Sequence, residues 1–242
     1  PSEMCIRDRT RVYINPQRRG GARLLADAQS MHAAVRSAFP PDLDESDSRV
    51  LWRVDHHEHH SVLYIVGPEE PIVDHIVDQA GWPTRPGQTA AYDRFLDGLM
   101  KGQRWRFELV ANPTYSVYER GKRGKVKAHV SAAHQLQWLY KKAPACGFTL
   151  APQLEDESAN GAASNWTALE TPQVTERWTD VFRREKSENR RVQPVRIAKA
   201  RFTGTLEVVD VAALRTSLLM GIGRGKGYGC GLLTLAPCGN ES

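Results

Sequence analysis

The spacing of apolar residues changes several times along this chain, and each change marks an element. Arg11-Val12-Tyr13-Ile14 reads as a strand that ends at Asn15-Pro16. Leu24, Ala28, Met31, Val35 and Phe39 then recur at helical spacing until Pro40-Pro41 stops the helix. Val50 to Val54 and Ser61 to Val66 read as strands joined by the polar segment Asp55 to His60. Pro71 suits a first helical position, Ile72, Val73, Ile76, Val77 and Ala80 form an apolar stripe, and Gly81 closes that helix. A short strand at or before Leu99 completes β-α-β-β-α-β, the ferredoxin-like unit.

The second half repeats the pattern with additions. Trp105, Phe107 and Leu109 alternate with Arg104, Arg106 and Glu108, and Asn112-Pro113 breaks the strand. Residues 114–130 form a basic loop or hairpin. A helix runs from Ser131 with Leu136, Leu139 and Tyr140 inward, ending at Lys141-Lys142 before Pro144, and the polar stretch Glu155 to Asn165 is a surface loop. Phe202, Gly204, Leu206 and Val208 alternate as a strand, Asp210 caps a helix over Val211 to Met220, Gly221 terminates it, and a last strand covers Leu232 to Leu235. The expected fold is therefore α+β, with two tandem ferredoxin-like (RRM-like) domains over 10–95 and 103–238. Pro1 to Arg9 matches no periodic pattern and reads as a non-native lead-in.

Composition narrows the class. With 242 residues, 40% hydrophobic and 25% charged, the chain can bury a real core and resembles an ordinary globular protein. No apolar run is long enough to span a bilayer, so no membrane partner is expected, and Cys5, Cys146, Cys230 and Cys238 lack zinc-type spacing. A reduced cytoplasm is the compartment these features imply.

Charge placement says more than the net value of +5. Residues 41–80 hold ten acidic and two basic side chains, whereas Lys101 to Lys127 and Arg183 to Arg201 each hold eight basic and two acidic ones. Two basic concentrations point to a bound polyanion. Either run alone would read as a solvated surface.

The third basic feature settles that balance in favour of nucleic acid. Gly221-Ile222-Gly223-Arg224-Gly225-Lys226-Gly227-Tyr228-Gly229-Cys230-Gly231 alternates six glycines with other residues, two of them cationic. Such a backbone approaches a ligand closely and its N–H groups can cradle an anion. It fits neither nucleotide-binding fingerprint, because Lys226 is followed by Gly227 rather than Ser or Thr, and no register places glycines at relative positions 1, 3 and 6. A close-packed helix-to-strand turn is the bland alternative. Arg120-Gly121-Lys122-Arg123-Gly124-Lys125-Val126-Lys127 is a second phosphate-tracking candidate.

Candidate chemistry is sparse. His32 sits at the edge of the first helix's apolar stripe, where a packing role is common, although imidazole titrates at ~6.5 and suits acid–base work. His56-His57-Glu58-His59-His60 lacks His-Glu-x-x-His spacing and reads as a solvated turn. Asp42, Asp44, Glu45 and Asp47 lack EF-hand register. No Gly-x-Ser-x-Gly elbow occurs. No cofactor or metal is expected.

These residues together resemble the CasE family, the CRISPR repeat-processing endoribonucleases of type I-E systems. The likeness is carried by Thr10-Arg11-Val12, by Met31-His32, by Arg106 to Pro113 followed by Gly121-Lys122-Arg123, and most specifically by Gly221 to Pro237. The resemblance implies two ferredoxin-like domains and metal-independent cleavage at the 3′ base of a stem-loop in a CRISPR precursor transcript. The 2′-OH beside the scissile phosphate would attack, leaving 2′,3′-cyclic phosphate and 5′-OH ends. The implied partners are the repeat RNA stem-loop, retained after cleavage, and other subunits of the type I-E Cascade complex.

His32 matches the family's catalytic histidine, as general acid or base. Many relatives carry Tyr three residues earlier, where this chain has Gln29, which can orient an oxygen but not usefully exchange a proton. Lys122, Arg123, Lys125 and Lys127 are assigned to the stem, and Gly223, Arg224, Gly225 and Lys226 to phosphates near the cut. Arg183, Arg184, Arg190 and Arg191 are further RNA contacts or a solvated hairpin. A noncatalytic hairpin-binding subunit shares the basic features but does not need His32. A metal-dependent hydrolase using the histidine turn would be stopped by a chelator.

Overall fold

The computed structural model describes residues 8–46, 48–117, 124–152, 166–167, 170–183 and 194–238. The first sheet contains β1 (Asp8–Ile14), β2 (Leu51–His56), β3 (Ser61–Gly67) and β4 (Gln88–Ala91), all antiparallel, in the order β2-β3-β1-β4. Helices α1 (Arg19–Ala26) and α2 (Ala28–Arg36) connect β1 to β2, and α3 (Asp74–Ala80) connects β3 to β4. Helix α4 (Asp93–Asp97) then leads into the second half.

That half contains β5 (Arg104–Ala111), β6 (Thr114–Val117), β7 (Lys125–Ala128), α5 (Ala132–Lys142), β8 (Phe148–Leu150), β9 (Gln173–Phe182), β10 (Val195–Val208), α6 (Val211–Met220) and β11 (Leu233–Pro237). Its main sheet is ordered β11-β5-β10-β8. With β5, β8, β10 and β11 as counterparts of β1 to β4, the two sheets have the same strand order. The chain is thus two tandem ferredoxin-like domains. The second carries two additions, the β6–β7 hairpin and β9 paired to the front of β10.

Several elements depart from the periodic reading. The expected single helix over Leu24 to Phe39 is two, because Asp27 is extended (φ −133°, ψ 111°) and its carboxylate accepts from the backbone N–H groups of Gln29 and Ser30. An aspartate that satisfies two N–H groups at a helix start favours a new helix over continuation. Burial opposes the charge of Asp27, but a hydrogen bond from the Ser30 hydroxyl (2.6 Å), together with those from the two backbone N–H groups, outweighs it and holds the carboxyl below its usual range.

Helix α3 begins at Asp74, three residues after Pro71. The fourth strand of the first sheet, expected at or before Leu99, lies at Gln88–Ala91. β1 includes Asp8 and Arg9, which the periodic reading set aside. The stretch Glu155 to Asn165 lies outside the described residues.

The predicted α6 is reproduced at both ends. Asp210 accepts from the N–H of Ala213 at 3.0 Å, and Gly221 ends the helix with φ +74°. Among the described residues, no helix is long and apolar enough to cross a membrane.

Two packing regions hold the halves together. Leu51, Val66, Tyr92 and Leu96 of the first half share one apolar core with Leu109, Phe202, Leu206 and Leu218 of the second. Beside it lies a buried ionic cluster. Arg53 on β2 is 3% exposed and Arg201 on β10 is 9% exposed. Arg53 donates to both carboxylate oxygens of Asp55 (2.8 and 2.7 Å), to the Glu108 carbonyl (3.1 Å) and to Thr234 Oγ1 (2.9 Å). Arg201 donates to Asp55 Oδ1 at 2.9 Å and also to the Glu108 carboxylate. Burial disfavours the Asp55 charge, yet the hydrogen bonds and charges of Arg53 and Arg201 win and lower its pKa.

Candidate functional site

Met31 and Val35 turn the apolar face of α2 inward, which leaves Gln29 and His32 on the half-buried edge. They are three residues apart and so lie on one helical face. The glycine-rich segment packs over this face.

That segment cannot be built without glycine. Gly221, Gly223, Gly225, Gly229 and Gly231 all have positive φ, and a Cβ on Gly229 would stand 2.7 Å from the Trp52 ring. Within it, Lys226–Tyr228 forms a single 3₁₀ turn. A Cβ on Gly227 would come 3.4 Å from both Cε1 and Nδ1 of His32, so the loop backbone lies directly against the imidazole.

The loop is fixed from several sides. Gly231 N–H donates to the Val110 carbonyl at 2.7 Å, and Tyr228 N–H donates to the Gly225 carbonyl at 2.8 Å. The Trp52 indole donates to the Gly227 carbonyl at 3.2 Å, tying β2 of the first half to the loop of the second. Lys199 Nζ on β10 donates to the Tyr228 carbonyl at 2.5 Å and pairs with Asp180 on β9 at 2.6 Å. Arg224 bridges to Asn112 at the end of β5.

Tyr228 joins the two halves at the site. Its ring centroid is 5.4 Å from that of His32 and 4.4 Å from that of Phe182, and its hydroxyl donates to Gln29 Oε1 at 3.2 Å.

Around this cluster a cleft of about 300 Å³ is lined by His32, Arg36, Arg49, Trp52, Lys226 and Gly227. It shares Arg49, Lys226 and Gly227 with a groove of about 560 Å³ that continues past Arg224 and Tyr228 to Thr114 and Val126 of the hairpin. Burial, and then repulsion from Arg49, lowers the pKa of the Lys226 ammonium. Two cations that repel each other at one cleft form a site suited to an anion.

The expected residues fall into three groups. Gly223, Arg224, Gly225 and Lys226 lie with His32 and Gln29 around the cleft and groove. Lys125 and Lys127 are exposed on β7, where Val126 between them lines the groove. Arg183 is exposed at the end of β9, while Lys122, Arg123, Arg184, Arg190 and Arg191 lie outside the described residues. Of the histidine turn, His57 and His60 stack on each other at 4.8 Å, while His56 lines a cavity of about 300 Å³ with Trp52, Asp180, Phe182 and Lys199.

Sequence reasoning missed Arg49, Trp52, Tyr228, Asp180 and Lys199. Only Tyr228 carried a signal, as the one aromatic residue inside the glycine alternation.

A family model described as CRISPR associated protein matches residues 9–237. The CRISPR-associated endoribonuclease Cse3 of Thermus thermophilus is 30% identical over 233 residues, covering 94% of this chain and 99% of the relative. A solved structure of CRISPR endoribonuclease Cse3 bound to a 19-nucleotide RNA matches with TM-score 0.72 and 27% identity, covering 96% of this chain and all of that one. Thermus thermophilus Cse3 bound to an RNA representing a pre-cleavage complex matches with TM-score 0.67 and 28% identity, over 96% and 100% of the two chains.

Proposed function

This chain belongs to the CRISPR associated protein family, and we propose that it is an endoribonuclease of CRISPR RNA processing that cuts a repeat stem-loop without a metal ion. The observation that carries the reading is the packing of His32 against the glycine-rich loop, beside Lys226. One cleft thereby combines a group able to exchange a proton with cations and backbone able to hold a phosphate.

In the proposed reaction the 2′-oxygen forms a bond to phosphorus as the bond from phosphorus to the 5′-oxygen breaks. The products are a 2′,3′-cyclic phosphate and a 5′-OH. The 2′-OH loses a proton and the 5′-oxygen gains one, and His32 carries one of these transfers while solvent carries the other. At the end of the cycle the imidazole has regained its starting form. Acid–base catalysis of this kind is worth ~10²–10⁴-fold. Arg224, Lys226 and the surrounding N–H groups offset the charge of the pentacoordinate phosphorane, and the loop fixes the in-line geometry.

Lys125 and Lys127 extend the cationic surface along the groove, consistent with a duplex stem held by its phosphates. The same grip would retain the hairpin product, as the family resemblance implies for assembly with other Cascade subunits.

The test is cleavage of the cognate repeat hairpin in EDTA by the wild type and by His32→Ala, with a 2′-deoxy scissile nucleotide as control. The reading expects wild-type cleavage in EDTA, and both changes should abolish cutting while leaving RNA binding intact. Binding without cleavage by the wild type would instead make the protein a noncatalytic hairpin-binding subunit. Loss of wild-type cleavage in EDTA would point to a metal-dependent hydrolase.

A further inference from the structure

We infer that the open face of the first sheet, with the groove beside it, is a second RNA site that takes unpaired nucleotides flanking the hairpin. The choice of occupant rests on the ribonuclease reading above, and the site lies apart from the catalytic cleft.

Alternation along β1 separates the two faces of its sheet. Val12 and Ile14 share one core with Met31 and Val35 of α2, so Arg9, Arg11 and Tyr13 point the other way. On β3, Tyr64 stands opposite Arg11 and shares that face. In the order β2-β3-β1-β4 the central strands are β3 and β1, and each presents one aromatic ring on the open side. An RRM stacks about two or three bases on aromatic rings displayed in this way on its four-stranded sheet.

Arginines crowd these rings. Arg9 lies over Tyr64 (5.4 Å), Arg11 over Tyr13 (5.8 Å), and Arg85 over both Tyr13 (5.4 Å) and Trp82 (5.7 Å). Arg11 Nε donates to Gln88 Oε1 at 2.6 Å, which orients that guanidinium and leaves its terminal nitrogens for another acceptor. Beside Arg9 and Tyr64 the face opens into a groove of about 560 Å³ between the two sheets, with Arg106, Thr203 and Thr205 on the far wall. Arg9 to Tyr13 spans ~13 Å of strand, and the groove extends that path.

The charge of this face decides what it holds. At the groove floor Arg53 and Arg201 are buried, and both are matched by the carboxylates of Asp55 and Glu108. Arg11, Arg85 and Arg106 are exposed, and among the described residues neither they nor Arg9 have a carboxylate partner. Unbalanced cations gathered on one face favour a polyanion. Aromatic rings and guanidinium planes both stack on bases, and a duplex keeps its bases inside, so this face selects a single strand.

The test compares the affinity of the full chain for the repeat hairpin alone and with an unpaired oligoadenylate flank on its 5′ or 3′ side. Each RNA carries a 2′-deoxy scissile nucleotide so that the flank stays attached. A flank long enough to round the sheet edge from the catalytic cleft should tighten binding about tenfold, near the lower end for one stacked base. The same flank annealed to a complement should add less than twofold. Arg11→Gln with Arg85→Gln alters only exposed side chains, so melting temperature should hold. This double variant should lose most of the flank-dependent gain, and with it about 1.4 of the salt slope that the flank adds. Its affinity for the bare hairpin, and its cleavage of the all-ribose hairpin, should match the wild type.

A flank gain below twofold in the wild type, an equal gain from the paired flank, a gain undiminished in the double variant, or an equal loss on the bare hairpin overturns the inference and leaves the ribonuclease reading standing. Failure of the wild type to bind the hairpin overturns that reading instead. Oligoadenylate alone then decides the inference, which expects binding by the wild type and weaker binding by the double variant.

Discussion

The two halves of this chain share a strand order and differ in what hangs from it. In the first, α2 sits on a plain four-stranded sheet and presents one imidazole and one amide. In the second, the same sheet carries an added hairpin, an added strand and a loop with two cations and five positive-φ glycines. Proton transfer needs one titratable group at a fixed point, which a single helical turn provides. Holding a polyanion needs donors and charge spread along a path, and that requires loops and strand extensions beyond the basic unit. On the proposed reading one scaffold serves two chemical tasks, and the elaboration falls on the half whose task is spatially extended.

His32→Ala should break the comparison most sharply. It removes the first half's contribution, with cleavage of a repeat hairpin falling ~10²–10⁴-fold while affinity in a filter-binding assay is unchanged.

The next largest effect tests whether the halves must be locked together. Asp55→Ala leaves Arg53 and Arg201 with one carboxylate fewer inside the interface. It should cost about 1.5–3 kcal/mol in urea denaturation, the range for hydrogen bonds to charged groups. The folded pKa of Asp55 lies below its ordinary value, so the stability it contributes is full above about pH 4. That contribution disappears as pH falls through the lowered folded value. The difference between wild type and Asp55→Ala should accordingly shrink in acid.

The loop should show what His32 does not, a loss in binding beside the loss in cleavage. Arg224→Ala with Lys226→Ala should weaken hairpin binding and flatten its salt dependence by about 2 in the slope of log K against log salt. Both effects should be insensitive to base changes within the stem.

The smallest effect sharpens the role of Lys226 alone. Because burial and Arg49 lower its pKa, hairpin affinity should begin to fall at a lower alkaline pH than an ordinary lysine would give. Lys226→Arg should remove that decline in a binding titration.

How much of this could be read from residues depends on where charge was hidden. Strands with apolar inward faces, such as Phe107 and Leu109 on β5, and helices with explicit caps, such as Asp210 on α6, were legible in detail. β9 was not. One face carries Val174, Trp178 and Phe182 together with the half-buried Asp180 and the exposed Glu176, two carboxylates balanced by Lys199 and Arg201 on β10. An ion pair between neighbouring strands erases the period-2 hydrophobic signal that identifies a strand. The split between α1 and α2 was missed for a related reason, since Asp27 competes for backbone N–H groups inside an apolar periodicity that runs through it. At the site, His32, Arg224 and Lys226 were visible because their chemistry is unusual for their setting. The contact of Tyr228 with Gln29 spans 199 positions and has no local signature.

The indole of Trp52 gives this architecture a clock. Its N–H reaches the Gly227 carbonyl across 175 positions, and its ring lies where a side chain on Gly229 would be. Domains whose contacts are distant in sequence close late during folding, after local elements have formed. Subtracting the stopped-flow emission trace of Trp52→Phe from that of the wild type should therefore isolate the moment the two halves close on each other. Ribonuclease competence should emerge with that signal rather than with the earlier gain of helix.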